Sequence, residues 1–275
     1  MKNEKLIFGV MSGTSLDGID VVLIKIGNKN IKLIDFAHKP YSNKLANALL
    51  LIQKPIHNDL ELSIELGLLH AQTTASMINT MLKKLNIYPK KVCCIGYHGQ
   101  TIRHQPSKKF SVQIGNAHML AEKTNIAVVA DFRNRDIVAG GQGAPLVPSF
   151  HQKVFSSRTK NRVIINVGGI SNLTYLKIGD KLIGFDCGPG NLLLDYWVQK
   201  NKNKNYDDKG KWASTGNIIP NLLVEFMKEP FFQKKPPKST GRDLFNSCWL
   251  EKFDHKKESP EDVQRTLLEL TAISI

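Results

Sequence analysis

Cysteine is scarce in this chain, and the four present, Cys93, Cys94, Cys187 and Cys248, have neither disulfide-framework nor metal-ligand spacing. That pattern suits a reducing, cytoplasmic setting, with the vicinal Cys93-Cys94 expected as buried thiols inside an apolar run. No apolar stretch approaches the ~20 residues a membrane helix requires. The N-terminal run Leu6 to Val10 is short, leads directly into a polar loop and has no small-residue cleavage site, so neither a signal peptide nor a membrane partner is expected. Arginine is rare too: seven of 38 basic residues, the other 31 being lysines scattered along the chain. The formal charge of +14 would suit phosphate neutralisation, but the densest basic cluster, residues 200–211, is mixed with Asn and Asp and lacks interleaved aromatics. Nucleic acid is therefore not an expected partner. A Gly-x-x-x-x-Gly-Lys-Ser/Thr loop is missing, as is the protein-kinase set of Gly-rich loop, His-Arg-Asp and Asp-Phe-Gly, which excludes those two ways of binding a triphosphate. His70, His118 and His151 show no metal spacing and receive no role.

A length of 275 residues with 41% hydrophobic and 23% charged residues fits two domains or one large one. Short strands at Leu6–Val10, Val21–Ile24 and Lys32–His38 precede a helical stretch over 60–85, with Leu62, Leu66, Leu69, Met77, Ile78 and Met81 as its apolar stripe. Val92 to Gly96 reads as a buried strand ending in the loop Tyr97-His98-Gly99-Gln100-Thr101. Strands follow at 112–114 and 127–130, with a helix over 117–124 between them. Residues 137–151, rich in glycine and proline, break the rhythm. A second unit then opens as the first did, with strands at 162–167, 171–178 and 182–186 and a helix from Asn191. Alternating strands and helices indicate an α/β protein with loops at strand ends. The expected division is 1–136 and 137–275, two related lobes. The last residues, 260–275, form a helix with a Ser259 N-cap, and the pattern stops mid-helix, which reads as a shortened chain.

Two glycine-rich hairpin turns carry the chemistry. The first, residues 11–20, reads Met-Ser-Gly-Thr-Ser-Leu-Asp-Gly-Ile-Asp. Gly13 and Gly18 allow close backbone approach, Thr14 and Ser15 offer hydroxyls, and Asp17 and Asp20 can hold a metal or orient water. Converging N–H groups in such a turn suit phosphate. The second is Gly168-Gly169, between the strands of the second unit. Asp186, at a strand end before Cys187-Gly188-Pro189-Gly190, is the best candidate general base, with turn capping as the plain alternative. Arg133 and Arg135 could grip a carboxylate or phosphate, or simply pair with Asp131 or Asp136. His98, with Gln100 and Thr101, could hydrogen-bond a polyol.

Taken together, Gly9-Val10-Met11-Ser12-Gly13-Thr14-Ser15-Leu16-Asp17-Gly18, Gly96-Tyr97-His98-Gly99-Gln100-Thr101-Ile102-Arg103-His104 and Val112-Gln113-Ile114-Gly115-Asn116 resemble the anhydro-N-acetylmuramic acid kinases of the sugar-kinase, actin and heat-shock-70 superfamily. Ala130-Asp131-Phe132-Arg133, Gly140 to Pro148, Asn166-Val167-Gly168-Gly169-Ile170-Ser171-Asn172, Gly184 to Asn191 and Lys238-Ser239-Thr240-Gly241-Arg242 continue the likeness along nearly the whole chain. The resemblance implies two ribonuclease-H-like, actin/hexokinase-type lobes around a central cleft, the second lobe incomplete. It implies ATP and Mg2+ as cofactors and a reaction that opens the 1,6-anhydro bridge of anhydro-N-acetylmuramic acid while phosphorylating O6, in peptidoglycan recycling. Under it Gly13, Thr14, Ser15, Leu16, Asp17, Gly18, Ile19 and Asp20 hold ATP phosphates together with Gly168 and Gly169. Asp186 is the base; Arg133 or Arg135 could take the lactyl carboxylate or the transferring phosphoryl group, and His98 could contact the sugar.

Two departures stand out. The superfamily's first phosphate loop often begins Asp-x-Gly, whereas Met11-Ser12-Gly13 stands here, so metal binding leans on Asp17 or Asp20. The family's glycine-rich adenosine loop is not among these residues. The resemblance also suggests a homodimer. Two other readings compete: a sugar- or nucleotide-binding fragment of the same fold without turnover, and a basic nucleic-acid binder.

Overall fold

The computed structural model describes residues 4–275 apart from 28, 29, 55 and 256. The chain divides into two compact units, Met1–Gly143 and Ala144–Ile275. Residues 137–143 belong to the first because Ile137 is buried there and the Asp136 carboxylate accepts Gly143 N–H at 2.7 Å.

In the first unit, β1 (Lys5–Ser12), β2 (Gly18–Ile26) and β3 (Ile31–Pro40) form an antiparallel meander. Helices α1 (Asn43–Leu51) and α2 (Asp59–Leu85) follow. The strand β4 (Val92–Gln105) then lies parallel to β1. Its later half pairs antiparallel with β5 (Phe110–Ile114), and after α3 (Ala117–Thr124) its earlier half takes β6 (Val128–Ala130) in parallel. The order β3-β2-β1-β4-β6, a meander continued by parallel strands, is ribonuclease-H-like. α4 (Phe132–Val138) follows β6. Period-2 patterning sends Phe8, Val10, Val21, Leu23 and Ile95 to one core, where α2 meets them with Ala71, Ala75, Ile78 and Leu82 at helical spacing. Each large side chain buried this completely contributes about 1.5–3 kcal/mol.

The second unit opens with α5 (Pro148–Phe155) and repeats the meander as β7 (Arg162–Val167), β8 (Ile170–Leu176) and β9 (Ile183–Pro189). α6 (Asn191–Lys202), α7 (Pro220–Met227), α8 (Pro230–Gln233), α9 (Ser247–Leu250) and α10 (Pro260–Ser274) complete it. Their core is aromatic: Phe226, Phe231, Phe245 and Trp249 pack with Trp197, Leu250, Leu267 and Leu270. The Ser259 hydroxyl caps α10 as expected, accepting from Asp262 N at 3.3 Å. Among the described residues no helix is long and apolar enough to cross a membrane.

Several local expectations are corrected. Residues 97–105 are strand rather than loop: Gly99, at φ 71°, lets β4 shift register and turn from β1 toward β5. Residues 131–136 open α4, entered through Asp131 in the left-handed region. Cys93 is exposed: it is the extra residue where the register of β4 against β1 shifts, between Leu6↔Val92 and Ile7↔Cys94. Leu69 is also exposed, and the inward position of α2 beside it belongs to His70.

Candidate active site

The turn between β1 and β2 is residues 13–17, tied at both ends. Gln100 Nε2 donates to Gly13 O at 3.0 Å, and Tyr41 N donates to Asp17 O at 3.1 Å. Gly18 has no room for a side chain, since a Cβ would meet the Lys39 carbonyl and His38 Cε1 at 2.7 Å. Of the expected phosphate-binding set, Leu16 and Ile19 point inward, at 7% and 1% exposure. Leu16, at φ 60°, anchors the turn among Leu49, Ile52, Leu66, Ile102 and Ile114. Asp20 is engaged by His38 Nδ1 at 2.8 Å. Gly13, Thr14, Ser15 and Asp17 therefore carry the surface of the turn, with Ser15 and Asp17 exposed. No group of three or more His, Cys, Asp or Glu able to hold a metal occurs among the described residues.

His98, Arg133 and Arg135 do not form one group. His98 Nδ1–H donates to the Gly99 carbonyl at 2.7 Å, which leaves Nε2 to accept Arg133 Nε–H at 2.9 Å. Arg133 Nη1 also donates to Gly143 O at 2.6 Å. Burial first, then the Arg133 charge, pushes His98 down to about 4, so the imidazole is neutral. His98 thus acts on Arg133 rather than standing alone. Arg135 is two residues further along α4, on the other side of the helix, and is exposed.

Beside this pair is a cavity of about 300 Å³, lined by Tyr97, His98, Gln113, Asp131 and Asn134 among others. Gln113 Oε1 is buried with no hydrogen-bond partner. A buried acceptor left this way calls for water or a ligand. Gln113, Asp131 and Asn134 were not singled out from the sequence; their positions on the strand and helix that close one cavity are tertiary information.

In the second unit, Gly168-Gly169 closes the β7–β8 hairpin. Its carbonyls accept from the start of α6: Gly190 N and Leu192 N donate to Gly169 O at 2.9 and 3.1 Å, and Asn191 N donates to Gly168 O at 2.8 Å. A side chain on Gly190 would strike the Gly168 carbonyl, which accounts for glycine there. Asp186 sits within β9 rather than at its end, because a register shift between Ser171 and Asn172 carries the pairing on to Gly188 and Pro189. It is 5% exposed; its Oδ2 accepts Thr240 N–H at 3.0 Å, and its own N–H donates to Lys238 O at 3.0 Å. Asn172 is its cross-strand partner. Asn172 Oδ1 and Thr240 Oγ1 are both buried without a hydrogen-bond partner. A buried carboxylate whose backbone neighbours carry two such atoms marks a polar site suited to water or a ligand. Elsewhere in this unit, burial raises Asp195 to about 6 against the opposing pull of Arg242, and burial lowers Arg242 to about 10.

The model of the family described as anhydro-N-acetylmuramic acid kinase matches residues 5–275. The chain belongs to the anhydro-N-acetylmuramic acid kinase family. Its relatives include the anhydro-N-acetylmuramic acid kinases of Nitrosospira multiformis, 47% identical over 97% of this chain and 74% of that protein, and of Pseudomonas fluorescens, 45% identical over 98% and 75%. Among solved structures, a Ppx/GppA family member from Aquifex aeolicus aligns at a TM-score of 0.42 and 10% identity, covering 94% of this chain and 73% of that one. For this member of the kinase family, the segments that carry the resemblance coincide with the two tied hairpin turns, Asp186 with its Thr240 contact, and the wall of the first-unit cavity.

Proposed function

We propose that this chain is an ATP-dependent kinase that hydrolyses the 1,6-anhydro bond of anhydro-N-acetylmuramic acid and phosphorylates O6, serving peptidoglycan recycling in the cytoplasm. The observation that carries the reading is Asp186, a buried carboxylate whose cross-strand partner Asn172 and backbone donor Thr240 each hold a buried side-chain oxygen without a hydrogen-bond partner, in a member of this family. Such a carboxylate, accepting from the Thr240 backbone N–H and shielded from bulk water, is suited to act as a base.

The reaction needs one base. Asp186 takes a proton from water as the water oxygen bonds to the anomeric carbon. The C1–O6 bond breaks, and the released O6 attacks the γ-phosphorus of ATP. The bond from that phosphorus to the β,γ-bridging oxygen breaks and ADP leaves. The products are N-acetylmuramic acid 6-phosphate and ADP, with the proton passing from Asp186 to solvent. Phosphoryl transfer of this kind is mostly positioning and charge stabilisation, which the backbone of residues 13–17 and of Gly168-Gly169 is suited to give. The cavity beside His98 suits the sugar, with Arg133, held by His98, toward its carboxylate or the transferring phosphoryl group. Arg135 has no part in this.

Mg2+, when bound, would be held mainly by the triphosphate, with one or two protein carboxylates completing its site. Asp17, an exposed carboxylate beside the hydroxyls of Thr14 and Ser15, fits that requirement, while Asp20 is engaged with His38. When bound, the ion screens charge on the phosphate oxygens.

Replacing Asp186 with Asn removes the proton acceptor and keeps the Thr240 hydrogen bond. Turnover should be abolished while ATP binding, measured by calorimetry, stays close to that of the parent. Near-normal turnover would place the base elsewhere. Binding of the sugar and ATP with no product from the parent chain would favour a binding protein instead.

A further inference from the structure

His70 has no place in the chemistry above, yet it is a polar residue on the core-facing stripe of α2 and only 3% exposed. Its ring connects two parts of the candidate site. Nε2 lies 2.9 Å from Ser12 Oγ, at the root of the first hairpin turn, and Nδ1 lies 2.6 Å from Tyr97 Oη, in the wall of the cavity. The direction of each hydrogen bond follows from one fixed partner. Ser12 Oγ is 2.8 Å from the Gly99 carbonyl, which can only accept, so the Ser12 proton goes there. Ser12 Oγ must then accept from His70 Nε2–H, and the bare Nδ1 accepts the Tyr97 proton. Donation runs one way, from Tyr97 through His70 and Ser12 to Gly99.

The surroundings keep that order. Burial, and then the neighbouring His98, lower His70 to about 4, so the ring is neutral with a single N–H. Burial raises the Tyr97 phenol, which keeps its proton. A parallel string starts at Tyr41, whose hydroxyl donates to Gln100 Oε1 at 3.2 Å while Gln100 Nε2 donates to Gly13 O. On the far side, the Tyr97 hydroxyl abuts Gly115, where a Cβ would approach it to 2.6 Å. Ser12 can therefore shift only if His70 and Gly99 shift with it, and Tyr97 can turn only by leaving His70 without a donor.

We infer that His70 is a positioning residue which, as its Nε2–H tautomer, fixes the root of the phosphate-binding hairpin through Ser12 and the wall of the sugar cavity through Tyr97. The inference rests on the proposed kinase reading for what those two parts bind. It predicts a split that a merely structural histidine would not give. Glutamine can place an amide N–H where Nε2–H stands, which restores the donor to Ser12 without restoring the ring's acceptor to Tyr97.

The test uses the full chain and its Ser12→Ala, Tyr97→Phe, His70→Gln and His70→Leu variants, with KM for ATP and for anhydro-N-acetylmuramic acid measured separately. Each lost hydrogen bond should raise the affected KM on the order of tenfold. Ser12→Ala should raise the ATP value alone, Tyr97→Phe the sugar value alone, and His70→Leu both. His70→Gln should recover the ATP value and leave the sugar value raised. Nitrogen-15 NMR of the parent should show a neutral His70 protonated at Nε2. Equal effects on both substrates in every variant, unchanged KM values, or an Nδ1–H tautomer would overturn the inference. If His70→Leu does not fold, the Ser12 and Tyr97 variants still decide, because each end is removed separately. A parent chain without turnover would sink the kinase reading itself, an outcome distinct from an active parent with indifferent variants.

Discussion

Acid should loosen the first unit through His70, and the size of the effect can be worked out. The ring ordinarily titrates near 6.5 and is held at about 4 in the folded chain, chiefly by burial. Between those values the unfolded chain binds a proton that the folded chain refuses, so stability rises with pH across that window. The contribution is fully present above 6.5 and is lost as pH falls toward and through 4. Complete loss is about 3 kcal/mol for His70, of which about 2 kcal/mol is gone by pH 5. His98 and His104, also lowered to about 4 by burial and then by Arg133, add in the same direction. Tryptophan fluorescence will not follow this change, because Trp197, Trp212 and Trp249 all lie in the second unit. The assay is hydrogen exchange of α2 and β4 amides at pH 7 and pH 5, corrected for intrinsic exchange, in the parent and in His70→Gln. The parent should lose more protection than the variant by about 2 kcal/mol over that interval. Equal losses in the two proteins would refute a neutral, buried His70.

Other predictions follow from single contacts. His98→Ala releases the Nε–H of Arg133, so KM for the sugar should rise on the order of tenfold with a smaller change in kcat, read by steady-state kinetics. Gly18→Ala puts a methyl group against the Lys39 carbonyl and Pro40 Cα and should lower stability by about 1–3 kcal/mol in urea unfolding, with loss of ATP affinity. Asp195→Ala removes the opposite charge acting on the half-buried Arg242 and should lower stability by about 1 kcal/mol, which the tryptophans of the second unit would report as an earlier urea midpoint. Arg135→Ala, at an exposed position, should leave both KM values and stability close to those of the parent.

Much of the fold was legible because hydrophobic period and chain order carry it. The meander of β1 to β3, the long α2 and the repeat of strand order in β7 to β9 all show in the spacing of Val, Ile and Leu. Strand lengths were not legible where glycine was mistaken for an ending. Gly99 and Gly188 sit in strands that shift register and continue, and a lone sequence does not distinguish a bulge from a loop. His70 receives no role from the sequence because it lacks metal spacing, while Leu69 beside it reads as part of the apolar stripe. Only the phase of the helix, with Gly67, Ala71, Thr74 and Ile78 turned inward, reveals that the histidine is the buried one. At the site, Asp186 and the two glycine turns could be singled out by residue type. Gln113, Asn172 and Thr240 could not, because what distinguishes them is burial without a hydrogen-bond partner, a property of packing.

In the proposed reaction one chain opens the anhydro ring and phosphorylates the sugar using a single base. The direct measurement is mass spectrometry of the sugar product from anhydro-N-acetylmuramic acid and ATP, with ADP counted alongside, for the parent and Asp186→Asn. The expected product has gained one water and one phosphoryl group and forms one for one with ADP, and the variant gives no product. A phosphorylated sugar that keeps its anhydro ring, or ADP released without any phosphorylated sugar, would contradict it.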